Sequence, residues 1–89
     1  MCVRYTRSSR PITGRLHDEL VMMDPVQGKY FSLNPVATRI WDLLEKPLDM
    51  DGICRVLMEE FEVDESRCRD EVSEHVDEMV RMGLIDRLL

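Results

Sequence analysis

The residues of this chain best suited to nucleophilic or metal chemistry are a cysteine and a histidine on one predicted helix. Cys68 and His75 are seven residues apart, which puts them on similar helix faces but about 10 Å apart along the axis. A thiolate and its general base must lie within hydrogen-bond reach, so this pair is not a catalytic dyad. The chain also has no Cys-x-x-Cys or His-x-x-x-His spacing, no Ser/His/Asp set and no glycine-rich phosphate loop. We therefore predict no catalytic residue, no metal site, no cofactor and no enzymatic activity.

Backbone groups offer a second kind of chemistry at residues 28–35, where a predicted strand runs directly into a predicted helix. The strand, residues 29–33, is rich in aromatic and apolar residues and follows a turn that contains Pro and Gly. Asn34 is a candidate N-cap, and Pro35 fits the first helical position. A strand in so small a sheet tends to have one unpaired edge, which can accept another extended chain. The junction is therefore a candidate peptide-binding element.

The length and composition predict one small folded domain. The chain has 89 residues, of which 44% are hydrophobic and 34% charged, enough for three helices and a small sheet. It has no apolar run near the roughly 20 residues of a membrane span and no signal-peptide block, so we expect a cytoplasmic protein that does not contact a membrane. Its three cysteines have irregular spacing, which favours free thiols over a disulfide framework.

The N-terminal third predicts strands. Residues 2–6 and 12–17 each have a strand-like composition, and the sequence does not decide between strand and flexible segment for residues 1–19. Residues 20–23 and 29–33 predict an antiparallel hairpin with a five-residue loop. Within the second of these strands, Phe31 and Leu33 share one face, which should be the core face.

Three apolar stripes predict three helices after the hairpin. The helices span about residues 35–45, 50–61 and 65–82, with Asp49 and Asp64 as N-caps of the second and third. We expect Trp41 to be a core residue. The fold class is therefore α+β, a winged helix-turn-helix-like domain with a three-stranded antiparallel sheet followed by three helices. The stripe residues are Ala37, Ile40, Trp41 and Leu44; Ile53, Cys54, Leu57 and Phe61; and Cys68, Val72, Val76, Met79 and Val80.

The net charge of −6 is concentrated in the C-terminal half. Residues 59–78 contain ten acidic side chains against Arg67 and Arg69, whereas residues 1–17 contain four arginines and no acid. This distribution favours a basic peptide as partner and repels a polyanion. A winged-helix protein that binds nucleic acid is the competing hypothesis from another class, but its recognition helix would be the acidic third helix.

Several segments together resemble a known family. They are Met22-Met23-Asp24; Gly28-Lys29-Tyr30-Phe31-Ser32-Leu33-Asn34-Pro35; Ile40-Trp41-Asp42-Leu43-Leu44; the helix with Ile53, Leu57 and Phe61 and its Val63-Asp64 link; and Glu71-Val72 through Met82-Gly83-Leu84-Ile85. In order and spacing they are similar to the PqqD-like peptide chaperones, also called recognition elements of ribosomally made, post-translationally modified peptides. The resemblance assigns residues 20–89 to a PqqD-like peptide-binding domain. Residues 30–44 are most similar to the stand-alone members of lasso-peptide pathways.

This resemblance implies a non-catalytic protein that binds the leader segment of a precursor peptide. In lasso pathways the leader is presented to a cysteine-protease-like leader peptidase, with a cyclase downstream. The family binds its leader by strand addition to the third strand, in a groove against the third helix. A chaperone for another peptide-modifying enzyme is the alternative within the same family.

The resemblance also implies which residues bind the peptide. The strand contributes Lys29, Tyr30, Phe31, Ser32 and Leu33, and the helix contributes Cys68, Glu71, Val72, His75, Val76 and Met79. Glu71 stands where many family members have Asp. His75 stands where they usually have an apolar residue, so we expect a partly polar groove.

Overall fold

The protein consists of three helices and two small sheets over the residues that the computed structural model describes, 3–9, 11–17 and 19–88. Cys2, which falls in one of the predicted N-terminal strands, lies outside these residues. The elements in chain order are β1 (Arg4–Arg7), β2 (Ile12–Leu16), β3 (Glu19–Asp24), β4 (Lys29–Leu33), α1 (Pro35–Leu43), β5 (Leu48–Asp49), α2 (Met50–Phe61), α3 (Glu65–Arg81) and β6 (Ile85–Leu88).

The first sheet has the strand order β2-β3-β4 and is antiparallel throughout. Its register places Leu20 opposite Leu33 and Met22 opposite Phe31, so apolar side chains of both strands face the helices together. Leu20, Met22 and Leu33 are buried. With the three helices, this sheet confirms the predicted α+β fold with a three-stranded antiparallel sheet.

A second sheet, with the order β5-β1-β6, joins the two ends of the chain. Arg4 lies opposite both Asp49 and Leu88. This sheet cannot be predicted from the sequence pattern, because β5 has only two residues and the pairing partners are far apart in the chain. Because β1 is the central strand of this sheet, residues Arg4–Arg7 of the N-terminal segment form a strand.

Arg7 ties β1 to the end of α1. Its guanidinium lies 4.8 Å from the centroid of the Trp41 ring, a cation–π contact. It also donates to the carbonyl oxygens of Trp41, at 2.8 Å from Nε, and Asp42, at 3.3 Å from Nη2. These carbonyls also accept from the backbone N–H groups of Leu44 and Glu45, so the guanidinium adds a favourable positive charge at the negative end of the helix dipole. Trp41 is buried, which confirms the prediction that it is a core residue.

Three carboxylate or amide side chains begin the three helices, as predicted. Asn34 accepts from the backbone N–H of Ala37, Asp49 from that of Gly52 and Asp64 from that of Arg67, each at 2.8 Å. Each of these bonds satisfies one of the free N–H groups of a helix first turn. The helix starts are therefore set by local chemistry that is visible in the sequence.

The core lies between the helices and the inner face of β3 and β4. The fully buried apolar side chains include Met22, Ile40, Leu44, Ile53 and Val76. Leu84 and Ile85 follow α3 and are buried too, so the chain folds back onto the core after Gly83. No helix among the described residues has the length and apolar character required to cross a bilayer.

Candidate functional site

β4 is an edge strand whose outer side is open. It pairs with β3 on one side, and no described strand pairs with it on the other. The N-terminal strand β1 belongs to the other sheet, and β2 pairs with the far side of β3, so neither covers β4. Along an open edge, alternate residues present N–H and C=O groups that can pair with an extended chain.

The side chains of β4 hold the strand in place and leave its edge free. Leu33 is buried, and Phe31 is half-buried and packs against the core, which confirms the predicted core face. Tyr30 is 73% exposed on the opposite face. Ser32, on that same face, donates from Oγ to Glu19 Oε2 at 3.1 Å.

A buried carboxylate sets the entry of β4. Asp24 is 2% exposed, and its Oδ1 accepts from the backbone N–H groups of Val26, at 2.9 Å, and Gln27, at 3.4 Å. The N–H of Gly28 donates to the Asp24 carbonyl at 2.7 Å, and Gly28 has φ +68°, a left-handed conformation that glycine adopts without strain. Asp24 itself pairs with Lys29. The loop is therefore one residue shorter than predicted.

A depression of about 130 Å³ lies between the end of β4, the start of α1 and the C-terminal half of α3. It brings predicted residues of both halves together: Ser32 and Leu33 from the strand, and His75 and Met79 from the helix. His75 is half-buried, and its ring forms part of a wall that combines polar residues with the apolar Leu33, Ala37 and Met79. The lining residues are Ser32, Leu33, Asn34, Ala37, His75, Glu78, Met79 and Met82.

A second pocket, of about 230 Å³, lies nearer the N-terminal end of α3. It contains the predicted residues Cys68, Glu71 and Val72. Two of the helices that line this pocket, α1 and α2, are joined by a bidentate ion pair. In this pair Arg39 Nη2 lies 2.6 Å from Glu60 Oε2. The same guanidinium holds the pKa of Glu60 below its ordinary value. The lining residues are Val36, Leu57, Phe61, Val63, Cys68, Glu71 and Val72.

The predicted buried stripe along α2 is wrong at Phe61. Phe61 is 47% exposed and lines the second pocket, whereas Ile53 and Leu57 are buried. Steps of four residues advance 400° around a helix, so each step drifts about 40° from the previous side chain. After two steps Phe61 has left the core face. The exposure of Phe61 could have been predicted from this drift and from its position as the last residue of α2.

The other predicted site residues fall outside both cavities. Lys29, Tyr30 and Phe31 lie on β4 before the depression, where only their backbone is at the open edge. Val76 is fully buried, so its side chain supports α3 from the core side. Four further lining residues are not predicted from the sequence, because their positions follow from the packing of α1 against α3: Asn34, Val36, Glu78 and Met82.

The charges along α3 are unevenly neutralised. Glu71 lies 3.3 Å from Arg67 Nε in an i,i+4 pair. Within the described residues, Glu74 and Glu78 have no cationic side chain within 4 Å. Glu78 lines the depression beside β4. The depression therefore carries a negative charge where it meets the open edge of β4.

The two described cysteines are structural. Cys54 is 2% and Cys68 3% exposed, and the Cys68 thiol donates to the Cys54 carbonyl oxygen at 3.8 Å. Burial raises the pKa of the Cys54 thiol to about 11. Since the thiolate is the reactive form, Cys54 is a poor nucleophile at neutral pH.

These elements define a class of protein: an α+β domain of the winged-helix type in which an open strand edge lies beside the last helix. The chain belongs to the PqqD family, since the family described as coenzyme PQQ synthesis protein D (PqqD) matches residues 19–85. This confirms the resemblance found in the sequence. No curated protein matches the chain.

Two solved structures are similar to this one. The first is described as TbiB1 in complex with the TbiA(beta) leader peptide; it has a TM-score of 0.82 and 25% identity, over 91% of this chain and 94% of that one. The second is described as lasso peptide synthetase B1 complexed with the leader peptide; it has a TM-score of 0.81 over 92% of this chain and 96% of that one. At 18% identity the second likeness shows the fold alone.

Proposed function

We propose that this protein binds the leader segment of a ribosomally made precursor peptide and presents it to a separate maturation enzyme, without catalysing a reaction itself. The leader adds as a strand to the open edge of β4 and lies against α3. The observation that carries this proposal is the unpaired edge of β4 directly beside the depression that α3 lines. The likeness to TbiB1, a structure with a leader peptide, supports it.

Backbone pairing supplies affinity without selectivity. β4 offers five residues, Lys29–Leu33, and each new hydrogen bond contributes about 1 kcal/mol net. Any extended peptide can form these bonds, so recognition of one leader requires side-chain contacts. The depression and the second pocket are the places where the leader's side chains are selected.

The spacing of the two cavities suggests how many leader residues separate the side chains that enter them. Met79 lines the first cavity and Val72 the second. Seven helical residues span about 10 Å, which an extended peptide covers in about three residues. Since side chains an even number of residues apart share one face of a strand, we propose two apolar leader side chains two or four residues apart, with a polar group near His75.

The acidic side chains of α3 favour a basic leader. Glu74 and Glu78 are exposed and lie on the helix that forms the groove. Their attraction for lysine or arginine is modest at this exposure and is screened by salt. The same charges repel phosphates, which weighs against nucleic acid as the partner of α3.

We propose a cysteine-protease-like leader peptidase of a lasso-peptide pathway as the maturation enzyme. The resemblance of residues 30–44 to the stand-alone members of lasso-peptide pathways supports this assignment. Another peptide-modifying enzyme is the alternative, which the match to coenzyme PQQ synthesis protein D supports. In both cases the binding chemistry at β4 is the same.

The test of leader binding is a titration with a fluorescently labelled synthetic peptide, taken from the leader of the precursor encoded beside this protein's gene. We expect saturable binding of one peptide per chain. Affinity should fall several-fold between about 50 mM and about 300 mM salt, since part of the attraction is between exposed charges. A scrambled peptide of the same composition is the control. Absence of saturable binding, or equal binding of the scrambled peptide, would contradict the proposal.

A further inference from the structure

One face of α3 presents a carboxylate to the depression beside the end of β4. Residues at helical spacings of three and four form this face: His75, Glu78, Met79 and Met82. Among the described residues that line the depression, Glu78 is the one carboxylate, and none is lysine or arginine. Arg81, three residues further along α3, makes no ion pair with Glu78. The charge of Glu78 is therefore available to a ligand that lies along β4.

Glu78 differs from the two other glutamates on the same side of α3. Glu71 lines the second pocket, but it lies 3.3 Å from Arg67 Nε and is partly neutralised. Glu74 has no cationic side chain within 4 Å among the described residues, but it lines neither cavity. Glu78 therefore combines a position in the depression with a charge that the described part of the chain leaves unpaired.

The wall around Glu78 suits a cation with an apolar stem. Ala37, Met79 and Met82 contribute apolar surface to the depression. An arginine packs its methylene stem on such surface and keeps its charged end among polar groups. Its planar guanidinium can donate a bidentate pair of hydrogen bonds to one carboxylate, and it is more weakly hydrated than the ammonium group of lysine. The half-buried His75 is a neighbour of Glu78 at the i,i+3 spacing, so the charged end would lie beside its ring.

We infer that the polar group which the bound leader places near His75 is the guanidinium of an arginine, and that Glu78 binds it. This inference rests on the proposed function and makes it more specific. A general preference for basic leaders arises from all exposed acids of α3 together. The pairing with Glu78 instead assigns the preference to one carboxylate and one leader residue, which makes Glu78 a specificity-determining residue.

Glu78→Gln is the variant that tests this pairing, since it removes the charge and keeps the size of the side chain. It is titrated with the labelled leader peptide at low salt. We expect affinity reduced about fivefold, because a bond to a charged group is weakened by exposure to water. Glu74→Gln reports the general attraction of the helix and should lose about twofold at most. Glu59→Gln, at an exposed residue of α2, is the control and should bind like wild type.

A second measurement changes the leader. Each of its arginines is replaced in turn by citrulline, which has nearly the same shape but no charge. We expect one of these peptides to lose about fivefold in affinity for wild type and little further affinity for Glu78→Gln, because the two changes remove the same interaction. Lysine at that leader position should restore only part of the affinity, since an ammonium group does not form the bidentate pair.

The outcomes separate the inference from the proposed function. Saturable leader binding that Glu78→Gln leaves unchanged, or weakens no more than Glu74→Gln does, would overturn the inference alone. So would a leader that binds saturably and contains no arginine, or citrulline effects that simply add to that of Glu78→Gln. If Glu78→Gln does not fold by circular dichroism, Glu78→Ala replaces it with the same expected loss. Absence of saturable binding of the unmodified leader to wild type contradicts the proposed function, and the inference with it.

Discussion

Replacement of His75 by tryptophan is expected to weaken leader binding by about 10- to 100-fold. His75 is half-buried and lines the depression between α3 and the end of β4, opposite Ser32 and Leu33. The depression has a volume of about 130 Å³, so an indole ring would occupy most of the space intended for a leader side chain. Loss of one buried apolar side chain corresponds to about 1.5–3 kcal/mol, and each 1.4 kcal/mol is a factor of ten in affinity. The measurement is the leader titration.

Ser66→Trp is the control for this variant. Ser66 is exposed and precedes His75 by nine residues, which places it on the opposite side of α3. The Ser66→Trp variant adds the same ring to the same helix, but the ring does not enter the depression. We expect leader affinity close to wild type for Ser66→Trp and similar thermal stability for both variants. Equal leader affinity in His75→Trp and wild type would show that the leader does not use this depression.

Replacement of Asp24 by alanine is expected to lower the free energy of unfolding by about 2–3 kcal/mol and to reduce leader affinity. The variant loses a buried carboxylate that accepts hydrogen bonds from the N–H groups of Val26 and Gln27, and bonds to charged groups contribute about 1.5–3 kcal/mol. These bonds fix the turn that leads into β4, so the open edge becomes less ordered. Urea denaturation measures the loss of stability, the leader titration measures the loss of affinity, and amide hydrogen exchange over Lys29–Leu33 measures the order of the strand.

Asp24→Asn is the matched comparison, because it retains an acceptor oxygen in the same position and should lose less stability than Asp24→Ala. Pro25→Ala provides a second reference in the same turn, at an exposed residue. An unfolding free energy of Asp24→Ala within about 0.5 kcal/mol of wild type, the range of ordinary surface substitutions, would contradict this account of the turn.

The features that the sequence predicts correctly are those that depend on near neighbours in the chain. The N-caps Asn34, Asp49 and Asp64 each bond an N–H three residues ahead, so residue type and position suffice to identify them. The core face of β4 follows from the alternation of Phe31 and Leu33. The pairing of β3 with β4 follows from two apolar runs and a short turn.

The features that the sequence analysis misses depend on packing between distant residues. β1 pairs with β5 and β6, which bring Arg4 next to Asp49 and Leu88, and no local pattern encodes such pairing. The second pocket exists because the end of α2 packs beside α1 and α3, leaving Phe61 half exposed. The open edge of β4 likewise becomes visible only when β1 is located in the other sheet.

Leader peptides with a single N-methyl group test strand addition to β4 most directly. Each peptide in the series carries one methylated backbone nitrogen, and its affinity is compared with that of the unmodified leader. In an added strand, alternate N–H groups point toward β4 and away from it. We therefore predict that affinity alternates along the leader, with losses of about fivefold at every second residue and little change between them. A uniform small effect at all positions would contradict strand addition at the open edge of β4.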